Sequence, residues 1–203
     1  MRLKDTRTGY GWISIVLHWV TAAFVLTMLF VGNSIPSVHG GAYQDKLRLH
    51  VGLAFIFYLF MWFRIWWRFA KGHPAPLPKQ RGFFFYVGKY THFGLILALA
   101  LMLVSGPLMA SSGGFPLAVF DWFTIPPLID VNVDVFTVAH FLHVAGATIL
   151  GWGAFLHICG SAKHFLIDND GTLDKMLVAA APEADDPAAP EPPAKPALET
   201  PGA

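Results

Sequence analysis

The stretch Val138–Phe165, VAHFLHVAGATILGWGAFLHICGSAKHF, decides how this chain is read. It is apolar almost throughout, yet it carries His143 and His157 in its interior. Crossing the hydrocarbon core of a bilayer takes roughly 20 residues at about 1.5 Å each. The stretch is long enough to span. Helical geometry then puts His143 and His157, fourteen residues apart, on one stripe, because fourteen residues make nearly four turns at about 3.6 residues per turn. Along the axis they stand roughly 21 Å apart. Imidazoles are costly in lipid and mark a functional site.

Working outward, three more stretches are long and apolar enough to span: Trp12 to Val31, Leu47 to Phe69 and Tyr86 to Met109. The whole chain is 55% hydrophobic and only 13% charged, about half the charged share of a soluble domain. The expected fold is all-α, a transmembrane four-helix bundle. The first stretch is read as a retained helix. It is too long for a signal peptide, lacks a small-x-small cleavage site and holds His18 and Trp19.

Basic residues orient the bundle. Arg2, Lys4 and Arg7 precede the first helix. Arg64, Arg68, Lys71, Lys79, Arg81 and Lys89 cluster at the second connection, and Lys163 and Lys175 lie at and after the end of the fourth helix. The opposite side has only Lys46 and Arg48, and its long loop carries Asp121, Asp130 and Asp134. Both termini are therefore expected in the cytoplasm. The segment His73–Pro78 reads as a stiff, extended connector. The loop from Ala110 to Thr137, broken by Pro116, Pro126 and Pro127, reads as a flap on the outer membrane surface. Residues 1–178 form the membrane domain, and 179–203, rich in Ala, Pro and Glu, read as a disordered tail.

The net charge of +1 implies no pull toward nucleic acid. The single cysteine, Cys159, rules out a disulfide framework and a CxxCH haem attachment. Any metal or haem is left to the nine histidines. Depth sorts them. His18 lies in the inner half of helix I and His50 near the outer end of helix II. His143 lies near the outer end of helix IV and His157 in its inner half. His50 with His143 would hold an outer haem, and His18 with His157 an inner one. Two imidazoles on one haem iron leave no open position, which suits electron transfer. The competing reading is a set of polar residues joining helices. A zinc or proton pathway is a weaker rival, because the helix interiors have almost no carboxylates.

The remaining polar residues leave alternatives open. His140, one turn before His143, is the other possible outer ligand. His92 is a contact for a haem propionate or a quinone, or an interfacial histidine with no partner at its depth. His164 belongs to a quinone site or to a solvated helix end. Arg64 and Arg68 are possible propionate contacts, although inner-side positive charge already accounts for them. Lys46 and Arg48, just before His50, would attract an anionic donor or bind outer propionates. His39 and His73 lie in loops.

Together these residues resemble the bacterial cytochrome b-561 family of four-helix di-haem membrane proteins. The matching stretches are Leu17-His18-Trp19, Leu49-His50-Val51-Gly52, Arg64 and Arg68, His92, His143, His157, His164 and Asp168-Asn169-Asp170-Gly171-Thr172-Leu173. The resemblance covers roughly Thr8 to Met176. It implies a multi-pass protein of the bacterial inner membrane with two b haems, their irons ligated by His18, His50, His143 and His157. It also implies an oxidoreductase that takes electrons from periplasmic superoxide or another outer donor and gives them to ubiquinone, near His164. The alternative is an electron-transfer subunit docking a redox partner such as a hydrogenase or dehydrogenase. A haem-free transporter or structural bundle is the reading from another class. Oligomeric state is not legible.

Overall fold

In the computed structural model, residues 3–71, 74–76 and 82–180 are described. Four long helices dominate: α1 (Trp12–Ser34), α2 (Gly41–Lys71), α3 (Phe83–Ser112) and α4 (Val133–Lys163). Each contains a window apolar enough to cross a membrane. Each also runs beyond its expected span at one end or more, α2 and α4 by more than one turn and α1 and α3 by three residues. A hydropathy reading stops where polar residues enter, whereas backbone hydrogen bonding continues into the interface. At α4 the start is fixed by Asn132, whose side chain accepts a hydrogen bond from the Val135 amide at 3.0 Å. A π-helical turn, His164–Asp168, follows α4 and ends at Asn169 in the left-handed region.

Large apolar side chains point outward along every helix. Phe30 on α1 and Leu59 on α2 are 77% and 78% exposed. Such exposure suits lipid as the solvent for these faces. The hydroxyls follow the same logic. Thr27, Ser112, Thr137 and Thr148 each donate to the carbonyl four residues earlier, so none presents an unpaired donor to hydrocarbon.

The interior is a thin apolar layer of Met61, Ile65, Ala98, Leu99, Leu103 and Leu150. Leu150 lies midway in sequence between His143 and His157.

Among the described residues, connecting segments pack against both ends of the bundle. At the outer end, the α3–α4 connection is a small antiparallel hairpin, β1 (Leu117–Val119) and β2 (Phe123–Ile125). The expected surface flap is thus a built element. Val119 is fully buried, and the Phe120 ring lies over Gly52 so closely that a Cβ there would meet it at 2.6 Å. Arg48 Nη1 holds Asp121 Oδ1 at 2.6 Å, and Lys46 Nζ donates to the Ser34 carbonyl at 3.1 Å. Lys46 and Arg48, expected to attract a donor or bind propionates, are engaged in tying the end of α1 and the hairpin to α2.

At the inner end, the N-terminal segment is bound through Asp5. It accepts from the Gly11 amide and the Ser14 hydroxyl, each at 2.7 Å, and Ser14 Oγ accepts from Trp67 Nε1 at 2.8 Å. Trp19 Nε1 donates to the Met176 carbonyl at 2.8 Å. The Ala180 amide donates to the Tyr10 carbonyl at 2.9 Å, two residues past the expected domain limit. His73 and residues 181–203, and with them nearly all of the expected tail, lie outside the described residues.

Candidate functional site

Two histidine pairs meet inside the bundle. The His50 and His143 rings have centroids 6.3 Å apart and planes at 77°. The His18 and His157 rings have centroids 6.0 Å apart and planes at 75°. These are the pairs expected from depth alone. A metal–imidazole bond is about 2 Å long, and each ring centre lies about 1 Å beyond its nitrogen. Rings on opposite sides of one metal ion therefore have centroids roughly 6 Å apart. Both pairs have this spacing.

The outer pair is set in place by small residues. A Cβ at Gly32 of α1 would lie 3.3 Å from His50 Cε1. A Cβ at Gly106 of α3 would lie 3.2 Å from His143 Cε1. Each imidazole thus rests against a neighbouring backbone that carries no side chain. His143 Nδ1 is 3.1 Å from Ser105 Oγ, which leaves Nε2 for a ligand. His50 Nδ1 is buried without a hydrogen-bond partner.

The inner pair is set in place by aromatic rings. Trp19 meets His18 edge-on at 5.5 Å, and His92 meets His157 at 4.7 Å with planes at 63°. His92 therefore has a neighbour at its depth, contrary to the expectation from sequence. Two helices entering from opposite sides bring residues distant in number to one level, and linear position hid this. His140 is exposed and stacks on Phe136 at 5.9 Å.

Arg64 departs from the simplest sequence reading. It follows His50 by fourteen residues, the same interval that separates His143 from His157. It therefore shares the inward stripe of α2 at the inner level. Its Nε is buried without a partner. A residue serving only as inner-side positive charge would extend its guanidinium to water. The fourteen-residue interval was available in the sequence as a signal for this residue.

Just past the end of α4, His164 Nδ1 lies 2.8 Å from Asp170 Oδ2 and 3.2 Å from Asp168 Oδ2. Lys163 Nζ also binds Asp168, at 2.6 and 2.8 Å. Burial disfavours the Asp170 charge. Hydrogen bonds from Thr172 and His164 outweigh it and hold the carboxyl below its ordinary range.

The sequence profile described as prokaryotic cytochrome b561 matches residues 9–178. The chain belongs to this family. Its membership makes it a redox protein of the membrane, and the family implies haem b and electron transfer. The chain is also similar to the Escherichia coli (strain K12) protein named cytochrome b561 homolog 2. The two are 29% identical over 182 residues, which cover 87% of this chain and 95% of that protein. The residues present fit a haem. Two imidazole pairs have the spacing of a metal sandwich, and the buried, unpartnered Arg64 Nε would suit the carboxylate of a propionate.

Proposed function

We propose that this cytochrome holds two b haems and carries electrons inward across the bacterial inner membrane, from periplasmic superoxide to ubiquinone. His50 and His143 would ligate the outer haem iron, and His18 and His157 the inner one. The observation that carries the reading is the pair of matched imidazole spacings, 6.3 and 6.0 Å, on one stripe of α4. A b haem between two imidazoles supplies a one-electron ferric–ferrous couple without an open coordination position. Two superoxide anions would each give up one electron and leave as dioxygen. One ubiquinone would take both electrons and two protons and leave as ubiquinol.

The chain's own residues do the rest. Arg64, with Arg68 one turn further, would pair with propionates of the inner group. The apolar layer around Leu150 and Met61 keeps water out between the two levels. The hairpin, anchored to α2 through Phe120 and Asp121, would cover the outer end. His164, held by Asp168 and Asp170, would lie beside the quinone and offer a site from which protons are transferred. His92, against His157, would contact the same group or a propionate. Basic residues on the inner connections support a cytoplasmic position for both termini.

The test is direct. The protein is purified in mild detergent, and its haem is counted as the pyridine haemochrome. Wild type is expected to hold two b haems. His143→Ala and His157→Ala are each expected to lose about one of them. Superoxide-dependent ubiquinone reduction by the purified chain alone supports the full reading. Activity confined to preparations with a co-purified dehydrogenase or hydrogenase would instead make it an electron-transfer subunit. A correctly inserted wild type without a Soret band overturns the cytochrome assignment of these histidines.

A further inference from the structure

Ser105 differs from the membrane hydroxyls that bond their own helix. Thr27, Ser112, Thr137 and Thr148 turn back to their own helix, each bonding the carbonyl four residues earlier. Ser105 instead reaches from α3 to α4 and meets His143 Nδ1 at 3.1 Å. It is 2% exposed, so water does not compete for this contact. The next residue, Gly106, lets α3 approach the same imidazole. Pro107 follows, and its lack of an N–H removes one bond from the helical ladder here. The local sequence Ser105-Gly106-Pro107 thus presents a hydroxyl, clears space for the ring and loosens the backbone behind it.

On the outer level the contrast is internal. His143 has this partner, whereas His50 Nδ1 is buried with none. An imidazole that binds metal through Nε2 carries its proton on Nδ1, and the hydroxyl oxygen then accepts from Nδ1–H. Such a bond fixes the tautomer and ring orientation and makes the ligand more basic. A more basic ligand favours ferric over ferrous iron, and hydrogen bonding of this kind is one of the levers on haem potential.

We propose that Ser105 is a positioning residue for the outer haem, orienting His143 and lowering the reduction potential on that level alone. The inference rests on His143 being a haem ligand, as argued above. It gives the hydroxyl a part in the direction of flow, because a lower outer potential favours electron movement inward.

The experiment is a redox titration of the purified wild type and of Ser105→Ala, Ser105→Thr and Ser105→Val. Low-spin ferric EPR and a haem count accompany it. Thr and Val are close in size, so they separate the hydroxyl from its bulk. In Ser105→Ala and Ser105→Val, one of the two components is expected to shift toward the ferrous form by about threefold. That corresponds to about 28 mV for a one-electron couple, at about 59 mV per tenfold. The EPR signal of the same haem moves, the other haem is unchanged, and Ser105→Thr restores both readouts. Unchanged potentials in Ser105→Ala at full haem content overturn the inference, as does an equal shift of both haems. If Ser105→Ala loses one haem, retention by Thr and loss by Val support the hydroxyl's role. Equal loss by Thr and Val overturns it as packing alone. A wild type without haem overturns the ligand assignment itself, and the haem count reports this separately.

Discussion

The outer and inner halves of the bundle solve one problem with different materials. Each holds a pair of imidazoles about 6 Å apart in an apolar interior. The outer half uses small groups: Gly32, Gly106 and the Ser105 hydroxyl lie against the rings, and a hairpin closes the end. The inner half uses large ones: Trp19 and His92 flank the rings, and Arg64 reaches the same level from α2. Close backbone contact fixes a ring by shape. Aromatic and cationic neighbours fix it by edge contacts and charge, and leave room for polar partners. The outer level is thus built for enclosure and the inner level for polar contact.

The strongest way to break this contrast is Arg64→Gln. If its guanidinium serves the inner group alone, the substitution removes a charged hydrogen bond worth about 1.5–3 kcal/mol. Inner haem retention during detergent washing is expected to fall about tenfold or more, with the outer haem unaffected. Equal loss from both levels would erase the distinction.

Gly52→Ala tests enclosure at the other end. Its Cβ would lie 2.6 Å from the Phe120 ring. Phe120 already holds a left-handed backbone, with φ of 48°, so the hairpin has little freedom to yield. Overpacking of this kind costs about 1–3 kcal/mol. A lower thermal midpoint and faster proteolysis within residues 113–132 are expected, with inner haem content unchanged.

Asp170→Asn probes the inner rim. Its carboxyl is held below the ordinary value of 3.8. The ionised form therefore stabilises the fold above that pH, and the contribution is lost as pH falls through the lower folded-state value. The variant is expected to be less stable than wild type by about 1 kcal/mol at neutral pH. The gap in thermal midpoint should close under acid conditions below pH 3.8. A gap that persists there would assign the effect to shape rather than charge.

The smallest effect is expected from Arg48→Ala. The Arg48–Asp121 pair is short, but its side chains are 40% and 85% exposed. Such pairs contribute at most about 1 kcal/mol and weaken in salt. A loss that vanishes at high ionic strength would leave Phe120 and Val119 as the hairpin's main anchors.

Much of this architecture was legible before any coordinates. The four apolar stretches and the interval between His143 and His157 come from composition and helical period. Both pairings followed from depth, because a helix of known direction turns residue number into height. Other features escaped for the same reason in reverse. The hairpin was hidden in a loop whose prolines and aromatics specify no pairing by themselves. Arg64 reads first as inner-side positive charge, with a propionate contact as the alternative, because charge statistics do not record which stripe a residue occupies. Ser105 carried no signal at all, since an isolated serine in an apolar helix ordinarily bonds its own backbone.

By itself the sequence determined the all-α architecture, the number of long helices and the levels of His18, His50, His143 and His157. These depend on rise per residue and on the cost of exposing polar groups to lipid, which are local properties of one helix. Only the tertiary structure decided that His92 touches His157, that Ser105 meets His143, that Arg64 Nε lies buried and that Phe120 closes over Gly52. Those contacts depend on rotation and close approach between helices, and packing of the whole bundle sets both.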